Sequence, residues 1–339
     1  MLKIVVMPVK NEAWILEKTL SCFSLWADHI IIADQKSDDG SREIYKKFPK
    51  VTVIENRAQY HSSNVRKLLL DTARGLDGNN AIFSFDADEI PTVHMLEKGF
   101  WQQVESLPTG TSLQFEWVNL WRSPLQYRMG NSQFTPSWKH FGFVDDRNMS
   151  YDTLNVINDH TSRIPTAAHR HSKRFDLPKV LHYQFVVWDR LLSKQALYRT
   201  TEFLQRPQTW LEALKINIKY YPSKDERGLV VARLASEWIE KYREQGIDVL
   251  HIPSLETNTF DQQVIQFIIE KGPAFFRNLD IWDIPWNEKI RKIENGFRGD
   301  IKDPRGVFIK AVHRFLVPLL SAPFFTRVYV ALRRINETP

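Results

Sequence analysis

The chain has 339 residues, 43% hydrophobic and 12% aromatic, enough for one large domain or two modest ones with a substantial core. Its single cysteine, Cys22, excludes a disulfide framework and a cysteine metal cluster within one chain and suits a reducing compartment. The 46 Lys and Arg against 40 Asp and Glu leave +6, a surplus that suits an anionic partner such as a nucleotide, a phospholipid surface or nucleic acid.

The N-terminal MLKIVVMPVKNE holds too short an apolar run for the core of a secretion signal. No stretch reaches the roughly 18 apolar residues of a membrane-crossing helix. KIVVMPV is a short continuous run of β-branched residues, and EAWILEKTLSCFSLW then places Trp14, Ile15, Leu20, Phe23 and Trp26 at helical spacing. HIIIADQ, SREIYKKF, VTVIEN, SSNVRKLLLDTAR and AIFSFDAD follow, giving strand, helix, strand, helix, strand, helix, strand. Continuous apolar strands separated by helices imply a doubly wound, mostly parallel sheet covered on both faces, Rossmann-like in its crossovers. Ligands bind such sheets at the C-terminal strand ends. The polar clusters Pro8–Glu12, Asp34–Asp39, Glu55–Arg57 and Asp86–Glu89 all fall there.

From Ser112 the pattern changes. SLQFEWVNLW reads as a long strand, followed by aromatic, His-rich sequence as far as VLHYQFVVW, an acceptor half with mixed or antiparallel strands. Residues 188–245 read as mainly helical, and a Pro- and Trp-rich stretch spans 252–300. The last forty residues mix large apolar side chains with Lys310, Arg314, Arg327, Arg333 and Arg334, with no acid between Asp303 and Glu337. That is the composition of a helix in an anionic membrane interface; a helical pair on the domain or a dimer contact would have it too.

Asp86 and Asp88 stand two apart at a strand end. Hard divalent cations take such carboxylates together with phosphate oxygens, and either a metal or an arginine must offset charges near a buried edge. The competing reading is a cap on the next helix.

MPVKNEAWILEKTL, HIIIADQKSDDGSREI and FSFDADE together resemble the family 2 glycosyltransferases, which have the GT-A fold. In that family one strand ends in a Pro-x-x-Asn-Glu segment, a second in Asp with a Ser-x-Asp-Gly-Ser/Thr turn, and a later one in Asp-x-Asp. The resemblance covers residues 1 to about 125 well and reaches 205 loosely. It implies an α/β GT-A catalytic domain over 1–205, with a nucleotide-binding half 1–110 and an acceptor half 111–205. A helical extension over 206–300 and the basic apolar segment 301–339 complete the chain.

The resemblance further implies that Pro8, Asn11 and Glu12 line the nucleotide pocket and that Asp34 reads the base or ribose. Asp86 and Asp88 would flank the diphosphate, Asp88 as direct metal ligand, with Arg66 facing the donor phosphates or sugar. Asp34-Gln35-Lys36-Ser37 departs from the usual Asp-Asp-Gly-Ser. The cofactors implied are Mn2+ or Mg2+ and a nucleotide-diphosphate sugar, with a UDP-sugar as first choice. His182, after an apolar strand, is a candidate third ligand, against the commoner reading of a satisfied core histidine. The general base of an inverting transfer would be Asp146 or Asp145 in HFGFVDDRN, with Glu116 and Asp152 behind them; a surface turn is the bland reading of that pair.

The activity expected is metal-dependent transfer of a sugar to a glycan or lipid-linked acceptor in surface polysaccharide or glycolipid synthesis. It would take place on the cytoplasmic side, with residues 306–335 on an anionic membrane and no nucleic acid partner. A sugar-nucleotide nucleotidyltransferase or a nicotinamide oxidoreductase would carry a Gly-rich loop after the first strand, and MPVKNEAW has no glycine. The non-enzymatic alternative is a glycan- or membrane-binding protein on the same scaffold.

Overall fold

The computed structural model describes residues 1–57, 63–130, 132–151, 162–253, 259–293 and 299–322. The chain forms two compact units, one from residues 1–187 and 229–253, the other from 188–228 and 254–339.

In the first unit β1 (Leu2–Val9), α1 (Ala13–Ser24), β2 (His29–Asp34), α2 (Ser41–Tyr45), β3 (Val51–Glu55), α3 (Ser63–Arg74) and β4 (Asn80–Ser84) alternate, as the apolar periodicity predicts. β1 pairs in parallel with both β2 and β4, and β2 with β3. Side chains alternate across β1. Val5 and Met7 join Leu16, Leu20 and Phe23 of α1 in one core, while Ile4 and Val6 join Val65, Leu69 and Leu70 of α3 in the other. Burial on both faces is why these strands read as unbroken apolar runs rather than alternating ones.

Past β4 the chain makes the short β5 (Glu89–Pro91) and α4 (Lys98–Glu105), then β6 (Ser112–Trp121), β7 (Gln126–Met129), β8 (Ser137–Val144) and β9 (Ser172–Phe185). β8 runs antiparallel to both β4 and β6, so β6 points the same way as β4, and β9 pairs parallel to β6. The GT-A-like α/β fold and the mixed second half are therefore what the structure shows. Gly142 is required where β8 meets β4: a Cβ there would lie 2.7 Å from Phe83 Cδ1 and 2.9 Å from the Ile82 carbonyl oxygen.

One helical expectation fails. Within RGLVVARLASEWIEKYREQ only Glu240–Glu244 is α-helix, while Val230–Arg233 is a strand, β10, antiparallel to β7. Paired β-branched residues fit a pleated edge better than a helix. The second unit is mainly helical, with helices Trp188–Leu204, Trp210–Tyr220, Thr259–Lys271 and Trp286–Lys292 around a core that includes Phe203, Ile216, Ile265, Phe276 and Trp286. Among the described residues no helix is long and apolar enough to cross a membrane.

Candidate active site

The loops after β1 and β2 are stitched together. The Asn11 N–H donates to Ser37 Oγ (3.0 Å), the Asp38 N–H to Asn11 Oδ1 (3.0 Å), the Glu12 N–H to Ser41 Oγ (3.2 Å) and the Ala13 N–H to Asp39 Oδ2 (2.9 Å). Asn11 and Lys36 take left-handed backbone, φ 56° and 53°, conformations that a non-glycine residue holds only when its surroundings fix it. Pro8 stands in β1 opposite Ala33, and Glu12 Oε2 accepts from the Trp14 indole at 2.5 Å.

Asp34, at the end of β2, is buried. Its Oδ2 accepts from the Ser37 N–H and from Arg42 Nε (3.1 Å) and Nη2 (3.0 Å), its Oδ1 from Tyr45 Oη (3.0 Å). Burial opposes its ionisation, but the hydrogen bonds from Ser37, Tyr45 and Arg42 outweigh it and hold the carboxyl below its ordinary value. Asp34 forms one wall of a cavity of about 690 Å³ with Arg42, Tyr45, Lys46, Val51, Val53 and Glu55, a volume within the range of small-ligand pockets. The sequence does not single out Arg42 or Tyr45, which complete this site.

The acidic cluster after β4 is clamped. Asp86 Oδ1 accepts from Arg66 Nη2 (3.1 Å) and its Oδ2 from Arg163 Nη2 (2.9 Å), while Arg66 Nη1 also donates to Ser84 Oγ (2.6 Å). Arg163 grips Glu89 with both ends of its fork, Nη1 to Oε2 and Nη2 to Oε1, each 2.7 Å. The same Glu89 Oε2 accepts the Asp86 N–H at 2.8 Å, which fixes the main chain of the turn. Burial works against the Asp86 charge, yet Arg163 and then Arg66 prevail and hold its carboxyl down at about 2. Glu89, fully buried, is pushed up by burial and pulled back by Arg163.

Asp88 lies apart from that clamp, opposite His182. In the paired strands Glu89 faces His182 across β5 and β9, and Asn119 faces His182 across β6 and β9. His182 Nδ1 lies 2.7 Å from Asn119 Oδ1, and Asn119 Nδ2 donates to the Phe134 carbonyl at 3.0 Å. The second bond fixes the amide so that its oxygen faces the ring, which makes Nδ1 the donor and turns Nε2 toward Asp88 Oδ2, 3.5 Å away. Either a proton on Nε2 or a metal cation between the two atoms satisfies this contact. The stack of Trp117 on the imidazole at 4.5 Å fixes the ring plane.

Asp88 and His182 are the residues that could hold a divalent ion here. No group of three or more His, Cys, Asp and Glu is disposed around one metal position among the described residues, so the protein offers two ligands and the remainder would come from diphosphate oxygens and water. Of the three expected metal ligands, the structure brings Asp88 and His182 together, while both oxygens of Asp86 are held by arginines.

The expected catalytic bases lie elsewhere. Because β8 is antiparallel to β4, its C-terminal end meets the start of β4: the Asp145 N–H donates to the Asn80 carbonyl at 2.8 Å. That is the N-terminal edge of the parallel strands, on the order of 15–20 Å from Asp86 at the strand spacing of the intervening residues. The Asp145 side chain is fully buried and takes Arg74 bidentately, Nε to Oδ2 at 2.9 Å and Nη2 to Oδ1 at 2.6 Å. Asp146 Oδ1 accepts the N–H groups of Asn148 and Met149, both at 2.9 Å. Asp145 is held in a buried ion pair and Asp146 in a turn, both at the opposite end of β4 from Asp86. Glu116 pairs with Lys179 on the face of β6 opposite to Asn119; Asp152 lies outside the described residues.

Residues 4–108 match the model of the family described as glycosyl transferase family 2. No curated protein matches the sequence. Among solved structures, a 4-diphosphocytidyl-2C-methyl-D-erythritol synthase is 14% identical with TM-score 0.34, over 52% of this chain and 89% of that one. S. aureus TarS is 11% identical with TM-score 0.37, over 67% and 50% of the two chains. Mannosyl-3-phosphoglycerate synthase from Rubrobacter xylanophilus is 16% identical with TM-score 0.25, over 37% and 41%.

Proposed function

We propose, from the match of residues 4–108 to the glycosyl transferase family 2 model, that the chain is a glycosyltransferase that transfers a sugar with inversion from a nucleotide-diphosphate sugar, a UDP-sugar as first choice, using Mn2+ or Mg2+. The observation that carries this reading is Asp88 Oδ2 facing His182 Nε2 at 3.5 Å at the C-terminal strand edge, beside the arginine-clamped Asp86. A divalent ion held there would act as a Lewis acid on the leaving diphosphate. An imidazole beside a carboxylate suits Mn2+ better than the all-oxygen preference of Mg2+.

The remaining work falls to the chain itself. The cavity beside Asp34 accepts the nucleoside, with Arg42 and Tyr45 holding the Asp34 carboxylate in place. In this reading Pro8 at the end of β1 and the interlocked loop carrying Asn11 and Glu12 also contact the nucleotide. Arg66, anchored on Ser84 and Asp86, presents positive charge toward the phosphates. Carboxylate, imidazole and guanidinium are thus preorganised where the leaving group gains charge, which is where such groups accelerate transfer most.

The acceptor in this reading is a glycan or is linked to a lipid, in surface polysaccharide or glycolipid synthesis at the cytoplasmic face of a membrane. Support comes from helical residues 307–320, where Val307, Phe308, Phe315 and Leu319 are 87%, 70%, 67% and 52% exposed beside Lys310 and Arg314. A row of large apolar side chains with basic neighbours suits an anionic lipid interface. Of the expected interfacial segment, residues 323–335 lie outside the described residues.

Thermal shift with a panel of nucleotide sugars, with and without Mn2+, tests the donor reading. One donor class should raise the melting temperature only when Mn2+ is present, and the protein should then slowly hydrolyse it. Absence of any metal-dependent shift across UDP-, GDP-, dTDP- and CMP-sugars would refute it. Replacing Phe308 and Phe315 together by Ser should release the protein from vesicles containing phosphatidylglycerol; unchanged sedimentation with them would remove the lipid interface.

A further inference from the structure

We propose that the cavity between β6, β7, β9 and the turn Ser236–Trp238 is a saccharide-binding subsite, separate from the Asp88–His182 pair, that takes a single uncharged pyranose ring. Glu116, Tyr127, Met129, Thr135, Lys179 and Trp238 line it. Its volume is about 270 Å³, just below the roughly 300 Å³ at which pockets for drug-sized ligands begin, so it admits one ring and not a chain. Side chains alternate along β6: Trp117 and Asn119 turn to His182, so Glu116 and this cavity lie on the other face of the sheet.

The lining matches the two surfaces of a pyranose, a C–H face and a rim of hydroxyls. Tyr127 and Trp238 are half-buried, their ring centroids 5.8 Å apart at 32°, and together give an aromatic wall for C–H groups. Glu116 and Lys179 pair across β6 and β9 with 26% and 19% of their side chains exposed. A carboxylate only accepts and an ammonium only donates, while each hydroxyl does both, so two neighbouring hydroxyls satisfy this pair together. Thr135 Oγ1 donates to the Ser132 carbonyl at 2.7 Å, which leaves its lone pairs for a further hydroxyl. Acid and base balance, so the lining does not select a charged ligand. An aliphatic ligand would strip water from both ions and replace none of its hydrogen bonds. Lys179 Nζ stands 5.4 Å from the Trp238 ring centroid, so polar and apolar contacts fall within the width of one ring.

The aromatic wall is held in advance of any ligand. Ala232 of β10 pairs with Tyr127 of β7, and the Leu234 N–H donates to the Leu125 carbonyl at 2.8 Å. Beyond Trp238, Ile239 is buried and the Tyr242 hydroxyl donates to the Pro91 carbonyl at 2.8 Å. Trp238 thus sits between two anchors, and contacts fixed beforehand cost less entropy on binding. On the proposed function the subsite would retain a glycan on the enzyme and raise its effective concentration there, a consequence that rests on that function, whereas the binding itself does not.

Saturation-transfer-difference NMR with the methyl glycosides of glucose, galactose, mannose, N-acetylglucosamine and rhamnose, without metal or nucleotide, tests the subsite. At least one glycoside should take up saturation through its ring C–H protons, and titration gives its dissociation constant. Trp238→Ala, which removes half of the aromatic wall, and Met129→Trp, which fills the cavity, should each weaken binding at least about fivefold. Met129 lies exposed on β7, so the larger ring enters at the mouth of the cavity and leaves the core alone; this variant decides the matter should Trp238→Ala fail to fold. No saturation of any of the glycosides would overturn the proposal. Binding that a folded variant retains in full would overturn it too, because the sugar would then lie elsewhere on the molecule. With metal and nucleotide left out, either result leaves the donor reading standing, and a failed donor thermal shift would leave the subsite standing.

Discussion

The two edges of the parallel strands hold the same ingredients and use them differently. At the N-terminal edge Asp145 and Asp146 stand with Arg74 and Arg147; at the C-terminal edge Asp86, Asp88 and Glu89 stand with Arg66 and Arg163. Below, one guanidinium takes both oxygens of Asp145, the Asp145 side chain has no exposure, and Arg147 Nη2 spends its donors on the Leu76 and Gly78 carbonyls. Above, Asp86 and Glu89 share Arg66 and Arg163, and Asp88 faces an imidazole nitrogen. The same residue types thus close on one another at the lower edge, while at the upper edge one aspartate is set against an imidazole.

Breaking the lower edge should have the largest effect, and on stability. Asp145→Ala leaves Arg74 charged without its partner in a mostly buried position, at a cost of about 3–5 kcal/mol, read as a lower denaturation midpoint in urea. Activity per folded molecule should stay unchanged. Loss of donor turnover at intact stability would reverse the assignment of the two edges. The converse change at the upper edge, Asp88→Asn, should lower metal-dependent turnover by roughly 100-fold or more. It should leave the metal-free midpoint the same or slightly higher, since it removes one of three crowded negative charges. A fall in metal-free stability comparable to that of Asp145→Ala would mean that Asp88, too, is a structural ion.

Much of the upper edge is legible in the sequence, because parallel strands buried on both faces announce themselves as apolar runs and their C-terminal ends collect the polar residues. The clusters Asp34–Asp39 and Asp86–Glu89 follow from that rule, and the family resemblance singles out Asp34, Asp86 and Asp88 within them. Strand direction beyond β4 is not written in local periodicity: HFGFVDD reads the same whether its aspartates end at the upper or the lower edge, and only the antiparallel pairing of β8 with β4 decides. Arg163 is equally silent, since its partners Asp86 and Glu89 lie 77 and 74 positions away and no local pattern marks it. β10 was hidden for another reason: its four residues adjoin a stretch of helical spacing that extends the apparent helix backwards.

A third region sharpens the contrast with the smallest effect. Near the start of β6, His140 is enclosed by groups that all have protein partners. Its Nδ1 lies 3.0 Å from Ser112 Oγ, which donates to the His171 carbonyl, and its Nε2 lies 3.0 Å from Gln114 Nε2, whose amide oxygen accepts from Arg174 Nε at 2.9 Å. With Ser112 accepting and Gln114 donating, only the neutral ring with its proton on Nδ1 fits. Burial first, then His169 stacked at 4.0 Å and Arg174, push the imidazole down to about 4. An unfolded histidine titrates near 6.5, so between the two values the unfolded chain binds more protons than the folded one, and stability falls as pH drops through that window. It is complete above about 6.5. Urea midpoints at pH 7 and pH 5 should therefore differ more for the wild type than for His140→Asn, whereas the affinity for Mn2+ with diphosphate at pH 7 should be the same in both. A variant that instead altered metal affinity would show that the lower half of the sheet is not the purely structural region its closed hydrogen bonds describe.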